Sequence, residues 1–412
     1  MRYRLNKQIS LLGVPEGPFA KYLRSFADSL HEQGFEARYL HQHVMLAARF
    51  SQWLKRRQIT ARRVDADHVS RYLKCRYRQR RPTSSDASSL RRFMTFLQER
   101  HVIPAEKAEA PLLVPADRCV QAYEDYLRQD RALHQATIIN YVPFIRDFLK
   151  DRFADRAVRL SDLKAQDVVR FVQCRARRLH VKRAKLMTTA LRSFFRYAQL
   201  RGRMTLDLVA AVPIVANWSM ASIPRAIAPE QTRQLLASID RKSAIGRRDY
   251  AILLLLARLG LRAGEVVALE LEDIDWRAGE LIVQGKGSRR SQLPLAPPVG
   301  KAITAYLCHG RPRCASRRVF LRAKAPNGAF RSASAISSLI RHRLKRAQIA
   351  APTCGAHQFR HGLASDMLRE GASLAEIGAV LGHQHPDTTR IYTKIDLKAL
   401  HSLAQRWPGG VR

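Results

Sequence analysis

Residues 246–276 read GRRDYAILLLLARLGLRAGEVVALELEDIDW. The apolar run in the middle of this segment predicts a buried helix, and Gly260 predicts its end because glycine readily adopts the left-handed backbone found there. Arg262 follows this turn directly, and Glu265 lies three residues later, where its carboxylate can pair with the guanidinium and fix its rotamer. The segment predicts a packed domain with an arginine presented at a helix end, although an ordinary salt bridge would also explain the pair.

The next segment, residues 279–295, reads GELIVQGKGSRRSQLPL and predicts a β-hairpin. Its strands are expected around residues 281–283 and 292–295. Lys286 lies in the turn between two glycines, which would let it reach inward. Taken alone, a lysine at such a place is usually a solvated turn residue.

A third segment, residues 357–394, reads HQFRHGLASDMLREGASLAEIGAVLGHQHPDTTRIYTK. The HxxR spacing puts His357 and Arg360 on one face of a helical turn. His383 ends an LGH triplet, and Tyr392 follows it by nine residues. With the arginine and lysine upstream, the set comprises two guanidiniums, an ammonium, two imidazoles and a phenol. The cationic and donor groups suit a phosphate in its transition state, and the phenol is a candidate nucleophile, so the combination predicts phosphodiester chemistry.

Charge and length support a nucleic-acid partner. The chain has 412 residues, 46% of them hydrophobic, with Lys+Arg 73 against Asp+Glu 34 and a formal net charge of +39. This length allows two or three domains, and release of counterions from a polyanion favours binding by such a basic surface. The basic residues are spread through helical patterns, which favours an extended nucleic-acid surface over a basic tail or membrane-surface binding. A solvated basic surface without a partner is the plain alternative.

Other broad classes are disfavoured. No run of eighteen apolar residues predicts a membrane span, and the N-terminus lacks the features of a secretory signal. The six cysteines are scattered without a CxxC pair, which is typical of reduced thiols in a cytoplasmic protein. No Walker or GxGxxG phosphate loop occurs, so we expect no nucleotide cofactor.

Two segments before residue 216 look like copies of each other, each predicted as a bundle of four or five helices. The similar words keep their order and their aromatic residues: VSRYLKCRYR (69–78) with VVRFVQCRAR (168–177), LRRFMTF (90–96) with LRSFFRY (191–197), and WLK (53–55) with FLK (148–150). Chance similarity between amphipathic helices is the alternative. Basic side chains on the opposite faces could grip DNA phosphates or enter a groove. These are Arg170, Arg175, Arg177, Arg178, Lys182, Arg183 and Lys185, and in the first copy Arg71, Arg76, Arg78, Arg80 and Arg81.

The sequence therefore predicts a mainly α protein with a small antiparallel β-sheet. We expect an N-terminal helical DNA-binding domain at residues 1–106 and a second helical domain at 107–215. A proline-bounded linker at 216–225 would lead to a catalytic domain at 226–412.

The motif set as a whole resembles the tyrosine recombinase (phage integrase) family over roughly residues 115–400. The resemblance rests on Arg262, Lys286 in GKG, the HxxR of segment 357–394, LGH and the tyrosine, together with the words around them. It implies tandem SAM-like helical bundles followed by an α+β catalytic domain, and it implies that the bundle at 107–215 binds the core DNA site. It also implies site-specific recombination, in which DNA strands are cleaved and rejoined through a 3′-phosphotyrosyl intermediate.

The resemblance gives each candidate residue a role. Tyr392 would be the nucleophile, and His357 would assist proton transfer at the tyrosine. Arg262 and Arg360 would hold the non-bridging oxygens of the phosphate, and His383 would hydrogen-bond it. Lys286 would be general acid to the 5′-oxygen, and Glu265 would support Arg262. Because arginine and lysine supply the positive charge, no metal or other cofactor is expected. The resemblance and the local spacing also disfavour a metal site at His383, His385 and Asp387.

The expected partner is double-stranded DNA. We expect two synapsed DNA sites to be bound by a homotetramer or by a hetero-tetramer with related recombinases. The expected location is the cytoplasm of a prokaryote, at the nucleoid. In relatives, a helix like the amphipathic tail at 395–407 docks into a neighbouring subunit, although the tail could instead pack on its own domain. The extra N-terminal copy favours integration, excision or transposition of a mobile element. The alternatives are a recombinase that resolves chromosome dimers, a type IB topoisomerase and a DNA-binding regulator with a silent site.

Overall fold

The computed structural model describes residues 2–4, 9–12, 14–79, 81, 83, 85–104, 115–154, 156–216, 223–285, 290–383 and 385–395. The chain divides into two compact units, one formed by residues 107–221 and the other by residues 1–106 with 222–412. Within the described ranges, none of the helices combines the length and apolar character needed to cross a bilayer.

The N-terminal part of the larger unit is a helical bundle. Its elements are the strands β1 (Arg2–Arg4) and β2 (Ser10–Leu12), and the helices α1 (Leu23–Glu32), α2 (Ala37–Arg56), α3 (Ala66–Gln79) and α4 (Asp86–Glu99). The two strands pair antiparallel. Aromatic side chains fill the core, where the ring of Phe93 lies 5.7 Å from that of Phe19 and 4.8 Å from that of Phe26.

The smaller unit is a second helical bundle. Its helices are α5 (Pro115–Gln129), α6 (Gln135–Phe153), α7 (Ala165–Ala176), α8 (Val181–Leu200) and α9 (Leu208–Ala211). Its core is also aromatic, and the buried Tyr123 hydroxyl satisfies its polar group by donating to Ser193 Oγ at 2.9 Å.

The two bundles bury the same faces of corresponding helices. Every buried position of α4 matches a buried position of α8 at an offset of 101 residues: Asp86, Ser89, Leu90, Phe93, Met94, Phe96 and Leu97 correspond to Met187, Ala190, Leu191, Phe194, Phe195, Tyr197 and Ala198. On α3 and α7, the buried Tyr72 corresponds to the buried Phe171 at the offset of 99. In both bundles the second helix packs on the first and the fourth. The similar words in the sequence therefore belong to helices with the same role in their bundles.

The rest of the larger unit combines helices with a small sheet. Its elements are α10 (Pro229–Ala237), α11 (Ala244–Arg258), α12 (Ala263–Ala268), β3 (Ile274–Asp275), β4 (Glu280–Gln284), β5 (Arg290–Pro294), α13 (Pro297–His309), α14 (Ser334–Arg346), α15 (His357–Arg369), α16 (Leu374–Val380) and α17 (Pro386–Thr389), followed by a 3₁₀ helix at Arg390–Ile395. The sheet order is β3-β4-β5, with both pairs antiparallel. Helix α11 is largely buried and packs against α13 and α15, so it forms the centre of this part of the unit.

These elements confirm the predicted fold class, a mainly α protein with a small antiparallel sheet. The predicted buried helix before Gly260 is α11, and the predicted hairpin is β4 and β5. The sheet has a third strand, β3, that the sequence did not indicate.

A buried ion network fixes α11 to α14, and its loss should destabilise the domain. Asp249 is 3% exposed, and its carboxylate accepts hydrogen bonds from Arg248 Nη2 at 2.7 Å and from Arg343 Nε at 2.7 Å. Asp249→Asn leaves two buried guanidiniums without a counter-charge, which costs about 3–5 kcal/mol in comparable buried pairs. We expect a large drop in the melting temperature of this unit in calorimetry. Glu230→Gln, in the exposed pair with Arg233, is the control and should leave the transition in place. Equal melting curves for the two variants would contradict a stabilising role for the network.

Candidate active site

Arg262 is positioned by the turn between α11 and α12. Gly260 has φ +61°, a left-handed conformation that favours glycine, and a Cβ there would lie 2.7 Å from Leu381 Cδ2, which would have to shift. Arg262 is the N-cap of α12, and the Glu265 carboxylate accepts from Arg262 N at 2.7 Å and from Nη1 at 2.6 Å. The pair predicted from the sequence is therefore present. It fixes the guanidinium while leaving most of its N–H groups available.

Arg360 lies in the first turn of α15 and is 5% exposed. Its guanidinium donates through Nη1 to Gly260 O at 2.8 Å and through Nη2 to Leu381 O. It therefore joins the end of α11 to the end of α16. Burial, together with the nearby Arg262, lowers the pKa of Arg360 to about 10, so the group remains a cation at neutral pH.

His383 follows α16 at a turn where Gly382 has φ +59°. Its Nδ1 lies 2.7 Å from Thr389 Oγ1, which orients the ring. Burial, followed by the charges of Arg360 and Arg262, lowers the pKa of His383 to about 4. The imidazole is neutral at pH 7 and keeps both donor and acceptor capacity.

These three side chains line one cavity of about 480 Å³. Glu265 and hairpin residues, including Gly285 and Ser291, complete the wall. The structure thus brings together groups that are more than one hundred residues apart. Lys286 lies outside the described residues, but Gly285 and Ser291 on either side of it both line the cavity.

Tyr392 lies in the final 3₁₀ helix, beside this cavity. It is 1% exposed and packs in a small apolar cluster with Ala364, Ile377 and Leu381. Its ring is parallel to that of His383, with centroids 6.5 Å apart. Burial raises the pKa of Tyr392, an effect that the charge of Arg360 partly offsets. The phenol is therefore protonated at neutral pH.

The hydroxyl of Tyr392 meets a residue that the sequence analysis missed. Tyr392 Oη lies 2.9 Å from His361 Nδ1, and the two rings form an edge-on pair at 5.8 Å. His357, the sequence-based candidate at the tyrosine, is exposed at the start of α15, with its ring 6.3 Å from that of His361. His361 follows His357 by four residues on the same helix face, and this spacing was the signal that could have identified it.

The charges around this site suit an anion. Two guanidiniums, those of Arg262 and Arg360, and two imidazoles, those of His383 and His385, line the cavity with Glu265 as the carboxylate in its wall. The described residues contain no group of three His, Cys, Asp or Glu side chains arranged to hold a metal. A phosphate placed in the cavity would meet fixed donors, and the ring of Tyr392 lies behind the wall, stacked on His383. Such an arrangement of fixed donors suits the binding of a phosphate.

Comparisons with known proteins point to one family. The model of the phage integrase family matches residues 225–398, and the model of the phage integrase N-terminal SAM-like domain matches residues 120–202. The chain is 52% identical over 410 residues, 99% of each chain, to a putative integrase/recombinase, y4rA, of Sinorhizobium fredii. It is 29% identical over 307 residues to the tyrosine recombinase XerD of Mycobacterium tuberculosis, covering 70% of this chain and 96% of that one.

Solved structures show the same fold. The XerH site-specific recombinase bound to a palindromic difH substrate aligns with a TM-score of 0.55 at 16% identity, over 76% of this chain and 93% of that chain. A lambda integrase dimer bound to a core site aligns with a TM-score of 0.52 at 17% identity, over 67% of this chain and 94% of that chain. Motifs, fold and full-length similarity agree, and the chain belongs to the phage integrase family of tyrosine recombinases, enzymes that break and rejoin DNA strands.

Proposed function

We propose that the protein binds paired sites on double-stranded DNA and exchanges strands through a 3′-phosphotyrosyl bond formed by Tyr392. The observation that carries this proposal is the convergence of Arg262, Arg360 and His383 on one cavity with the Tyr392 ring stacked beside it. Covalent linkage conserves the phosphodiester energy, so rejoining needs no ATP.

The two arginines are suited to hold the non-bridging phosphate oxygens. Arg360 uses two N–H groups on backbone carbonyls and Arg262 uses one on Glu265, which leaves further donors on each rigid fork. Donors held in place before the reaction stabilise charge that develops in the transition state. A neutral His383 adds a hydrogen bond to the same phosphate, and Lys286 from the hairpin would protonate the departing 5′-oxygen.

The proposed activity can be tested by trapping. The purified full-length protein is incubated with genomic DNA, the mixture is denatured, and DNA that remains attached to protein is sequenced. We expect attachment at a defined sequence through the 3′ end of the broken strand. Attachment without sequence preference would instead favour a topoisomerase, and no attachment would favour a binding protein with a silent site.

The biological setting follows from the same experiment. We propose integration, excision or transposition of a mobile element, supported by the full-length similarity to a chain named integrase/recombinase. Attachment at element ends would support this setting, whereas attachment at one chromosomal site in cells without such an element would favour chromosome resolution.

We also propose a homotetramer or hetero-tetramer on two sites, since a lambda integrase has been solved as a tetramer on a Holliday junction. The tail predicted to exchange between subunits lies mostly outside the described residues.

We further propose that the N-terminal bundle is a second copy of the SAM-like bundle and that both bind DNA. The matching burial of α4 and α8 supports the duplication, and exposed cations recur at Arg71 and Arg170 and at Arg78 and Arg177. The proposed domains keep the predicted boundaries at residues 1–106, 107–215 and 226–412, with a linker at 216–225.

Loss of cations from the N-terminal bundle should weaken DNA binding in a salt-dependent way. Arg78 on α3 is one of the proposed phosphate contacts, and the exposed Lys74 lies one turn before it, so Lys74→Ala with Arg78→Ala removes two neighbouring cations. For the full-length protein on a duplex of arbitrary sequence, the slope of log affinity against log salt should decrease in magnitude by about two. Arg233→Ala is the control, because that charge is already paired with Glu230 at 2.6 Å. If the slope is unchanged in the double variant, this face of the N-terminal bundle does not contact DNA phosphates.

A further inference from the structure

The hydroxyl of Tyr392 is held by one side chain among the described residues. Tyr392 Oη lies 2.9 Å from His361 Nδ1, a normal hydrogen-bond distance, in a position closed to solvent. His361 is on the second turn of α15, next to Arg360 in the sequence. One helix therefore carries both a phosphate-binding group and a group that contacts the nucleophile.

A phenol needs a proton acceptor before it can attack phosphorus at neutral pH. Its ordinary pKa is about 10, and burial raises the pKa of Tyr392 further. The pKa of His361 is lowered by burial, then by the nearby His357 and Arg360. His361 is thus neutral at pH 7, so its ring can offer a lone pair at Nδ1 and carry its proton at Nε2.

We propose that His361 is the general base that accepts the Tyr392 proton, a role that the sequence-based hypothesis gave to His357. This proposal rests on the proposed function. As Tyr392 Oη forms its bond to the scissile phosphorus, the phenolic proton moves to His361 Nδ1, and His361 becomes an imidazolium. The bond from phosphorus to the 5′-oxygen breaks, and that oxygen takes a proton from the general acid, proposed as Lys286. Rejoining reverses each transfer, so the imidazolium returns its proton to the tyrosine.

The surroundings of His361 decide when it can act. The titratable and charged groups around it are His357 and Arg360 on α15, His383 from the turn after α16, and Tyr392 from the final 3₁₀ helix. The Arg360 cation and the neighbouring imidazoles disfavour an imidazolium in the free protein, while the bound phosphate compensates that charge during the reaction. The base is therefore active above its lowered pKa and lost as pH falls through it, below the ordinary value of 6.5.

The test compares cleavage of a nicked duplex that carries the sequence recovered by trapping. His361→Asn keeps a hydrogen-bonding group near Tyr392 but cannot take up its proton. We expect the rate of covalent complex formation at pH 7 to fall about 100-fold, as is usual for loss of a general base. The rate of the variant should then rise steadily with pH, because hydroxide replaces the base, whereas the wild-type rate should stay level above about pH 7.

A substrate with a modified leaving group distinguishes loss of the general base from loss of the general acid. A substrate with sulfur in place of the bridging 5′-oxygen needs no proton on its leaving group. This substrate should restore the rate of Lys286→Ala but not that of His361→Asn. His357→Asn tests the alternative base on the same helix face and should not acquire the rising pH profile. His342→Asn, at an exposed histidine on α14 outside the cavity, is the control and should keep the wild-type rate and pH profile.

Several results would overturn the assignment. These are a wild-type rate in His361→Asn, an unchanged pH profile despite a lower rate, rescue of that variant by the sulfur substrate, or a base-like profile in His357→Asn. His361→Gln replaces the asparagine variant if the latter does not fold. If the wild-type protein itself forms no covalent complex, the proposed function fails. A wild-type complex together with a fully active His361→Asn removes the base assignment alone.

Discussion

Tyr392→Phe should abolish covalent attachment of the protein to DNA while leaving DNA binding intact. The substitution removes one oxygen atom and keeps the ring that packs on Ala364, Ile377 and Leu381 and stacks on His383. Since the phenolic oxygen is the proposed nucleophile, its loss should reduce the rate by on the order of 10⁴-fold or more, as removal of a nucleophile does in other enzymes. The stability cost should be small, about 1 kcal/mol for one lost hydrogen bond to His361.

Two measurements made together decide the result. A gel under denaturing conditions reports attached DNA, and a native gel-shift titration reports binding. Tyr39→Phe is the matched control, because Tyr39 is 52% exposed and lies in the N-terminal bundle. We expect attachment in wild-type and Tyr39→Phe proteins and none in Tyr392→Phe, with equal binding in all three. Persistent attachment in Tyr392→Phe would identify another nucleophile and would end the role proposed for this residue.

The fold was predictable where a periodic signal is long. Helix α11 has a continuous apolar run, and the hairpin of β4 and β5 has alternating strands around a glycine turn, so both were found from the sequence. Strand β3 has two residues, and a segment of that length carries no periodicity. Its pairing with β4 depends on tertiary contacts that a single sequence does not reveal.

The candidate site was predictable in composition but not in geometry. The Arg262–Glu265 pair is local, because a three-residue separation on a helix start fixes it. The anchoring of Arg360 on Gly260 O spans one hundred residues and requires the left-handed turn at Gly260 to aim that carbonyl. Likewise, the contact between His361 and Tyr392 joins residues thirty-one positions apart, so the spacing on α15 could suggest His361 but not its partner.

The arrangement of Arg360 explains why the site needs a guanidinium and not only a positive charge. Its two terminal nitrogens bind two backbone carbonyls that belong to different elements, Gly260 O and Leu381 O. A planar fork can satisfy both carbonyls and still present donors to a phosphate. A lysine ammonium offers its three donors from one nitrogen, so it cannot reproduce the spacing of the two terminal nitrogens that reach Gly260 O and Leu381 O.

We therefore expect Arg360→Lys to lose strand cleavage although its charge is conserved. Loss of one fixed donor to a developing negative charge costs about 10²–10³-fold in rate, and here the carbonyl anchors are weakened as well, so a loss near ~10³-fold is expected. DNA affinity should change little, because one charge among the many on the chain is retained. Arg369→Lys, on the same helix but 62% exposed and paired with Asp366, is the matched control and should keep the wild-type rate. Single-turnover cleavage under saturating protein separates the rate from binding. If Arg360→Lys cleaves within a few-fold of the wild-type rate, charge alone suffices and the fork geometry at Arg360 has no catalytic role.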